Sequence, residues 1–289
     1  RPICELLRQW STLHPEFAFL PRKFKIAING AKQDRTILLC HDVGIELKRG
    51  ANEELLANIY VGGGMGRTPL LAELIKTDLP WQDLPSYLTA LLRVYNRHGR
   101  RDNIYKARIK ILVKALGIEE FANQVHAEWE GTQSHYDRLT EADWDRVAPH
   151  FTKPPYKTLP HYSPQRLIAE VFPNEQAEFT RWLKRNVRSH QVPGYASVTI
   201  SLKPHGNHAP GDATALQMNA IADLADQFSF GELRVTHEQN LVFADVEVTR
   251  LIDLWRKLCD FGLGLSNVGL LTDIIACPGG DFCSLANAK

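Results

Sequence analysis

Tyr195-Ala196-Ser197-Val198-Thr199-Ile200-Ser201-Leu202 alternates apolar and polar side chains, the period of a half-buried strand. The segments after this strand decide the fold. Thr214 to Phe228 reads as a helix, Glu232–Thr236 and Leu241–Val246 as a hairpin, and Thr249 to Phe261 as a second helix. The order β-α-β-β-α is one strand short of the ferredoxin-like βαββαβ unit. The missing strand must come from elsewhere, and the sheet is expected to keep an open edge that invites pairing. The expected fold class is α+β.

Working outward, the stretch before this block is punctuated by Pro149, Pro154, Pro155, Pro160, Pro164 and Pro173, with two short helices expected around Arg166–Val171 and Gln176–Lys184. It reads as a connector. Further upstream, helices are expected at 5–10, Pro69 to Lys76, Leu84 to Arg97, Asn103 to Leu116 (stopped by Gly117) and Ile118 to Glu130. Strands are expected from Lys23 to Ile28, Thr36 to Leu39 and Ile59 to Val61. The resulting division is 1–130, a connector at 131–190, a half-domain at 191–262 and a terminal piece at 263–289.

The 289 residues are 44% hydrophobic and 23% charged, with 34 basic against 33 acidic side chains and a net charge of +1. That excludes a disordered or collagen-like chain, and no global charge field argues for nucleic acid or a membrane. No apolar run reaches the ~18 residues of a membrane span. Five cysteines, Cys4, Cys40, Cys259, Cys277 and Cys283, make a poor secreted framework and suit a reducing cytoplasm. The chain opens on Arg1-Pro2-Ile3-Cys4 without an initiator Met or a signal peptide, so both ends read as cuts through a longer protein.

Four features could carry chemistry. Lys23 and Lys25, two apart in a strand, would aim both ammonium groups at one small oxyanion while Phe24, Ile26 and Ile28 pack behind them. The plainer alternative is an exposed strand face whose lysines discourage edge pairing. Gly62-Gly63-Gly64 follows a strand and lets backbone approach a ligand closely, although it fits neither the dinucleotide fingerprint nor the P-loop, and a simple tight turn would look the same. Between Arg93 and Lys114, eight basic residues (among them Arg101 and Arg108) face Asp102 alone, which is either an anion-binding segment or a solvated helix face. Cys277-Pro278-Gly279-Gly280-Asp281-Phe282-Cys283 is a C-x5-C turn, too widely spaced for an ordinary zinc site and half of what an iron–sulfur cluster needs.

Together these segments resemble the siroheme-containing nitrite and sulfite reductase family, most closely its bacterial sulfite reductase hemoprotein (beta) component. Leu20-Pro21-Arg22-Lys23-Phe24-Lys25 is similar to the family's substrate-anion strand and Val61-Gly62-Gly63-Gly64 to its cofactor-proximal turn. Arg100-Arg101-Asp102-Asn103, continuing through Lys106-Ala107-Arg108, resembles its basic segment. Thr236-His237-Glu238-Gln239-Asn240 resembles the hairpin whose amides approach siroheme, and Cys277-x5-Cys283 the first half of the cluster motif. The family's N-terminal half-domain would precede Arg1, and its second cysteine pair would follow Lys289.

The resemblance implies a core repeat, a ferredoxin-like half-domain and the start of a second core repeat, an internal fragment of a larger enzyme. The parent would reduce sulfite to sulfide, or in the rival reading nitrite to ammonia, with six electrons from a flavoprotein reductase or ferredoxin. Its cofactors would be siroheme and a [4Fe-4S] cluster. In that reading Lys23 and Lys25 are catalytic; Gly62, Gly63, Gly64, Arg101, Arg108, Gln239 and Asn240 hold siroheme; and Cys277 and Cys283 ligate iron. The fragment alone is expected to be apo and inactive. A reading from another class is a non-catalytic RNA-binding module, whose sheet would need exposed stacking aromatics where the expected strands offer Tyr195 and Phe243. A third is a structural zinc domain, disfavoured by the cysteine spacing.

Overall fold

The computed structural model describes residues 1–135, 138–204, 211–277 and 279–281. It divides into two compact units, Arg1–Thr152 and Lys153–Lys289.

The first unit is a four-stranded sheet backed by helices. Its strands are β1 (Ile26–Asn29), β2 (Val43–Arg49), β3 (Leu55–Val61) and β4 (Glu73–Pro80), in spatial order β1-β2-β3-β4. The β1–β2 pair is parallel and the other two pairs are antiparallel. The helices are α1 (Pro2–Ser11), α2 (Pro15–Ala18), α3 (Leu84–His98), α4 (Ile109–Leu116), α5 (Ile118–Thr132) and α6 (Glu141–Val147). Val43, Ile45, Ile59, Val61 and Leu79 from the sheet form one buried cluster with Tyr87, Leu88, Leu91, Tyr95, Phe121 and Val125 from the helices. Each such side chain stabilises the unit by about 1.5–3 kcal/mol through removal from water. Gly117, at φ +84°, ends α4 as expected and turns the chain directly into α5.

Local propensity misleads in four places here. Pro69 to Lys76 is not a helix: β4 begins at Glu73, because β3 has a free edge to satisfy and Leu70 is bridged to Gly64. Thr36 to Leu39 is not a strand. Asp34 accepts from the N–H groups of Thr36 (2.9 Å) and Leu38 (2.8 Å), and the chain turns through a short 3-10 helix at Leu38–Cys40. Asn103 to Leu116 is broken at Ala107–Arg108, where the buried Tyr95 hydroxyl donates to the Ala107 carbonyl at 2.7 Å. Finally, β1 starts at Ile26, so Lys23 and Lys25 precede the strand rather than lie in it. Phe24, Ile26 and Ile28 nevertheless pack against the core, while both lysines are exposed.

The second unit contains α7 (Pro164–Glu170), α8 (Gln176–Asn186), β5 (Val187–Ser189), β6 (Tyr195–Ser201), α9 (Ala215–Phe228), β7 (Leu233–Val235), β8 (Asn240–Glu247) and α10 (Leu251–Asp260). Thr214 and Gln217 form a reciprocal capping box that starts α9. The sheet runs β5-β6-β8-β7 with every neighbouring pair antiparallel. β5, just upstream of the β-α-β-β-α block, takes part of the place of the missing strand by pairing with Ala196–Val198, and β5 and β7 form the edges of the sheet. Val198, Ile200, Phe243 and Val246 pack with Ile221, Leu224, Leu254 and Leu258 beneath the sheet. Tyr195 and Phe243 are buried, so neither is offered to a stacking base.

Candidate functional site

In the first unit, four residues singled out from the sequence meet around one that was not. Asp42, whose side chain is fully buried, accepts from Arg108 Nε at 3.1 Å and Nη2 at 2.7 Å. Its other oxygen accepts from the Lys25 backbone N–H at 3.0 Å, and its carbonyl accepts from Gly62 N–H at 3.0 Å. Val43 N–H donates to the Lys25 carbonyl, so the β1–β2 ladder continues to Lys25 and there ends on a side chain. Arg108 can reach Asp42 because it sits in extended conformation just ahead of α4. Gly64 belongs to the same cluster: a Cβ on it would stand 2.9 Å from Arg108 Nη2.

The glycine turn is held from beneath. Lys110, only 6% exposed, donates to the carbonyls of Gly64 (3.2 Å), Met65 (3.0 Å) and Thr68 (2.6 Å). Burial, and then the neighbouring Arg108, push its pKa down. Gly62 takes φ +92°, and a Cβ on Gly63 would stand 2.2 Å from the Leu39 carbonyl oxygen and 2.5 Å from that of His41. Backbone cannot give way there, so only glycine fits.

The ammonium groups of Lys23 and Lys25 have no hydrogen-bond or ion-pair partner among the described residues, and neither have those of Lys106 and Lys114, whereas the arginines of the basic segment are engaged. Arg93 pairs with Glu16 and Glu128, Arg97 with Glu128, Arg100 with Asp102 and Arg108 with Asp42. The partners of Arg93, Arg97 and Arg108 lie outside the stretch in which the excess of positive charge was counted. Arg101 is exposed, donates to the Asn96 carbonyl at 3.0 Å and does not join the Asp42 cluster.

The second unit contains a separate polar cluster at the β7–β8 turn. Gln239 has φ +58°, and its amide grips one peptide from both sides, donating to the Ala276 carbonyl at 2.7 Å and accepting from Ala276 N–H at 3.0 Å. Cys277 comes next, an exposed free thiol. Asn240 is buried: its Oδ1 accepts from Lys203 Nζ at 3.1 Å and from Leu202 N–H at 3.2 Å, and its Nδ2 donates to Asp273 at 2.9 Å. Lys203, 3% exposed, also donates to Asp273 at 2.8 Å and to the Glu238 carbonyl. Burial pushes the Asp273 carboxyl up, but hydrogen bonds from Gly269, Lys203 and Asn240 outweigh it and hold the group below its usual range. Sequence reasoning missed Lys203 and Asp273. Cys283 lies outside the described residues. Among the described residues no three His, Cys, Asp or Glu side chains are grouped to hold a metal ion, and no helix is long and apolar enough to cross a membrane.

Comparison with known proteins accounts for both units. Residues 1–132 match the nitrite and sulphite reductase 4Fe-4S domain, and residues 189–260 match the nitrite/sulfite reductase ferredoxin-like half domain. Among curated relatives, sulfite reductase [ferredoxin] 2 of Mycolicibacterium paratuberculosis is 28% identical, the match covering 99% of this chain and 44% of that protein. The assimilatory ferredoxin-dependent nitrite reductase of Haloferax mediterranei is 25% identical over 92% of this chain and 41% of its own length. The chloroplastic ferredoxin–nitrite reductase of Arabidopsis thaliana is 26% identical over 99% of this chain and 43% of its own. The structure of Mycobacterium tuberculosis NirA superposes with a TM-score of 0.63 over 97% of this chain and 44% of that one, at 23% identity, and so shares the fold. The chain spans less than half the length of these relatives. With two of the family's domains matched in succession over more than two thirds of its residues, the chain belongs to the nitrite and sulfite reductase family of oxidoreductases.

Proposed function

We propose that this chain forms part of an assimilatory sulfite reductase, in which Lys23 and Lys25 neutralise the substrate anion. The observation that carries this reading is that the β1–β2 ladder ends at Lys25, on a backbone held by Asp42. Lys25 is fixed through its backbone to Asp42, yet its ammonium group and that of Lys23 are exposed and unpartnered among the described residues. Free cations on a pinned backbone are suited to an oxyanion. There they stabilise negative charge and favour protonation of the substrate's oxygens and their loss as water. The names of the matched relatives support sulfite as substrate, and ferredoxin as donor in place of a flavoprotein reductase. The buried Asp42–Arg108 pair and Lys110 fix the Gly62–Gly64 turn, one of the segments that would hold siroheme.

When bound, siroheme would supply the iron site and a [4Fe-4S] cluster the relay for the donor's electrons. The residues present fit part of that demand. Cys277 offers an exposed thiol, the soft donor that iron–sulfur clusters use, and Cys283 would be its pair within a set of four. Two thiolates are not a cluster site, and we infer that these 289 residues alone are inactive. In this reading 1–130 is the first core repeat, 131–190 links it to the half-domain at 191–262 while adding α6 to the first unit and α7, α8 and β5 to the second, and 263–289 is the start of the second repeat. Free thiols suit the reducing cytoplasm, and neither nucleic acid nor a membrane is a partner.

The nitrite reading is kept alive by the haloarchaeal and plant relatives, which match nearly as well. The two separate on kcat/KM for sulfite and nitrite, measured on the whole enzyme with one donor. The sulfite reading expects sulfite to exceed nitrite by at least ~10-fold, about 1.4 kcal/mol of transition-state preference. The reverse ratio would assign the enzyme to nitrite.

A further inference from the structure

The β7–β8 turn carries a conformational cost that the fold does not explain. Gln239 adopts φ +58°, in the left-handed region that residues other than glycine rarely occupy. Strain of this kind costs on the order of 1 kcal/mol and persists where the surroundings over-determine it. Here the surroundings are Gly211, where a Cβ would come within 3.1 Å of the Gln239 Cβ, and the peptide of Ala276. In this conformation the side-chain amide makes both of its hydrogen bonds to one residue 37 positions further along the chain. The adjacent buried cluster ties down the same approach. Asn267 donates to the Lys203 carbonyl at 3.0 Å, and Asp273 joins Lys203 to Asn240. The segment leading to Cys277 is therefore anchored to the ends of β6 and β8 at three successive points, the last of them immediately before the thiol.

We propose that Gln239 is a positioning residue: its amide clamps the Ala276 peptide, so that the turn of the ferredoxin-like half-domain sets where the Cys277 sulfur is presented to iron. The purpose of presenting that sulfur rests on the reading of Cys277 as a cluster ligand; the clamp itself does not. It gives Gln239 a task within the protein that leaves one N–H and one lone pair of its amide for other contacts.

Gln239→Met keeps the side chain's length and removes both hydrogen bonds, and Gln239→Gly also relieves the backbone. In the 289-residue chain, amide hydrogen exchange at Ala276 is expected to accelerate about 10-fold in both variants, as loss of two net hydrogen bonds implies. Amides of β6 and β8 should be unchanged, and the Gln239→Gly melting temperature should be equal to or above that of Gln239→Met, which keeps the strain. In the cluster-loaded whole protein, Gln239→Met should release iron to a chelator several-fold faster. Less than ~2-fold change at Ala276, or equal acceleration throughout β6 and β8, would overturn the clamp. Faster exchange at Ala276 with unchanged iron release would overturn the positioning role. A whole protein without iron would refute the reading of Cys277 while leaving the exchange result intact, so the two failures can be told apart.

Discussion

Replacing Asp42 by alanine is expected to destabilise the first unit by about 3 kcal/mol, more than any exposed substitution in the chain. The carboxylate is wholly buried and makes two bonds to Arg108 and one to the Lys25 backbone. Removing it strands a guanidinium whose side chain is only 16% exposed and leaves the Lys25 N–H without its acceptor. The residual exposure of Arg108 places the cost at the lower end of the range for a broken buried pair. Urea unfolding of the 289-residue chain measures it. The midpoint should fall with the slope unchanged, and a loss below ~1 kcal/mol would show that Asp42 does not organise the cluster.

The second large effect falls on turnover and spares the fold. Lys23→Met and Lys25→Met in the whole enzyme are each expected to lower sulfite kcat/KM by about 10²–10³, the range found when one preorganised donor to a developing anion is removed. Stability should move by less than ~0.5 kcal/mol, because both side chains are exposed and neither ammonium group has a partner among the described residues. The siroheme absorption should survive. Loss of siroheme in both variants, instead of loss of turnover, would mean that the lysines hold cofactor and not substrate.

The parts of the fold that were legible in the sequence share a local signal. Tyr195–Leu202 alternates cleanly, Thr214–Gln217 is a capping box, and Gly117 ends a helix, each visible within a few residues. The β2 strand carries the same kind of signal in Val43, Ile45 and Leu47, but it follows a turn, Thr36 to Leu39, whose own residues read as a strand. β4 and β5 are different. β4 exists because β3 needs a second partner, and β5 is three residues long, so neither has a periodicity of its own.

The site divides in the same way. Paired lysines, a glycine run and a spaced cysteine pair can be seen in a one-dimensional string. Asp42 cannot, since its meaning lies in Arg108, 66 residues away. Lys203 depends likewise on Asn240 and Asp273, 37 and 70 residues on. The excess of basic residues over 93–114 misled for a related reason, because three of its arginines are paired with acids outside that stretch.

If this chain contributes to a siroheme and iron–sulfur reductase, the whole purified protein must be coloured and must hold iron. Its visible absorption spectrum, recorded together with its iron content, decides the matter. A siroheme Soret band with cluster absorption is expected, and the siroheme bands should shift when sulfite is added to the reduced protein. A colourless, iron-free whole protein after expression with siroheme and iron supplied would contradict membership of a working reductase.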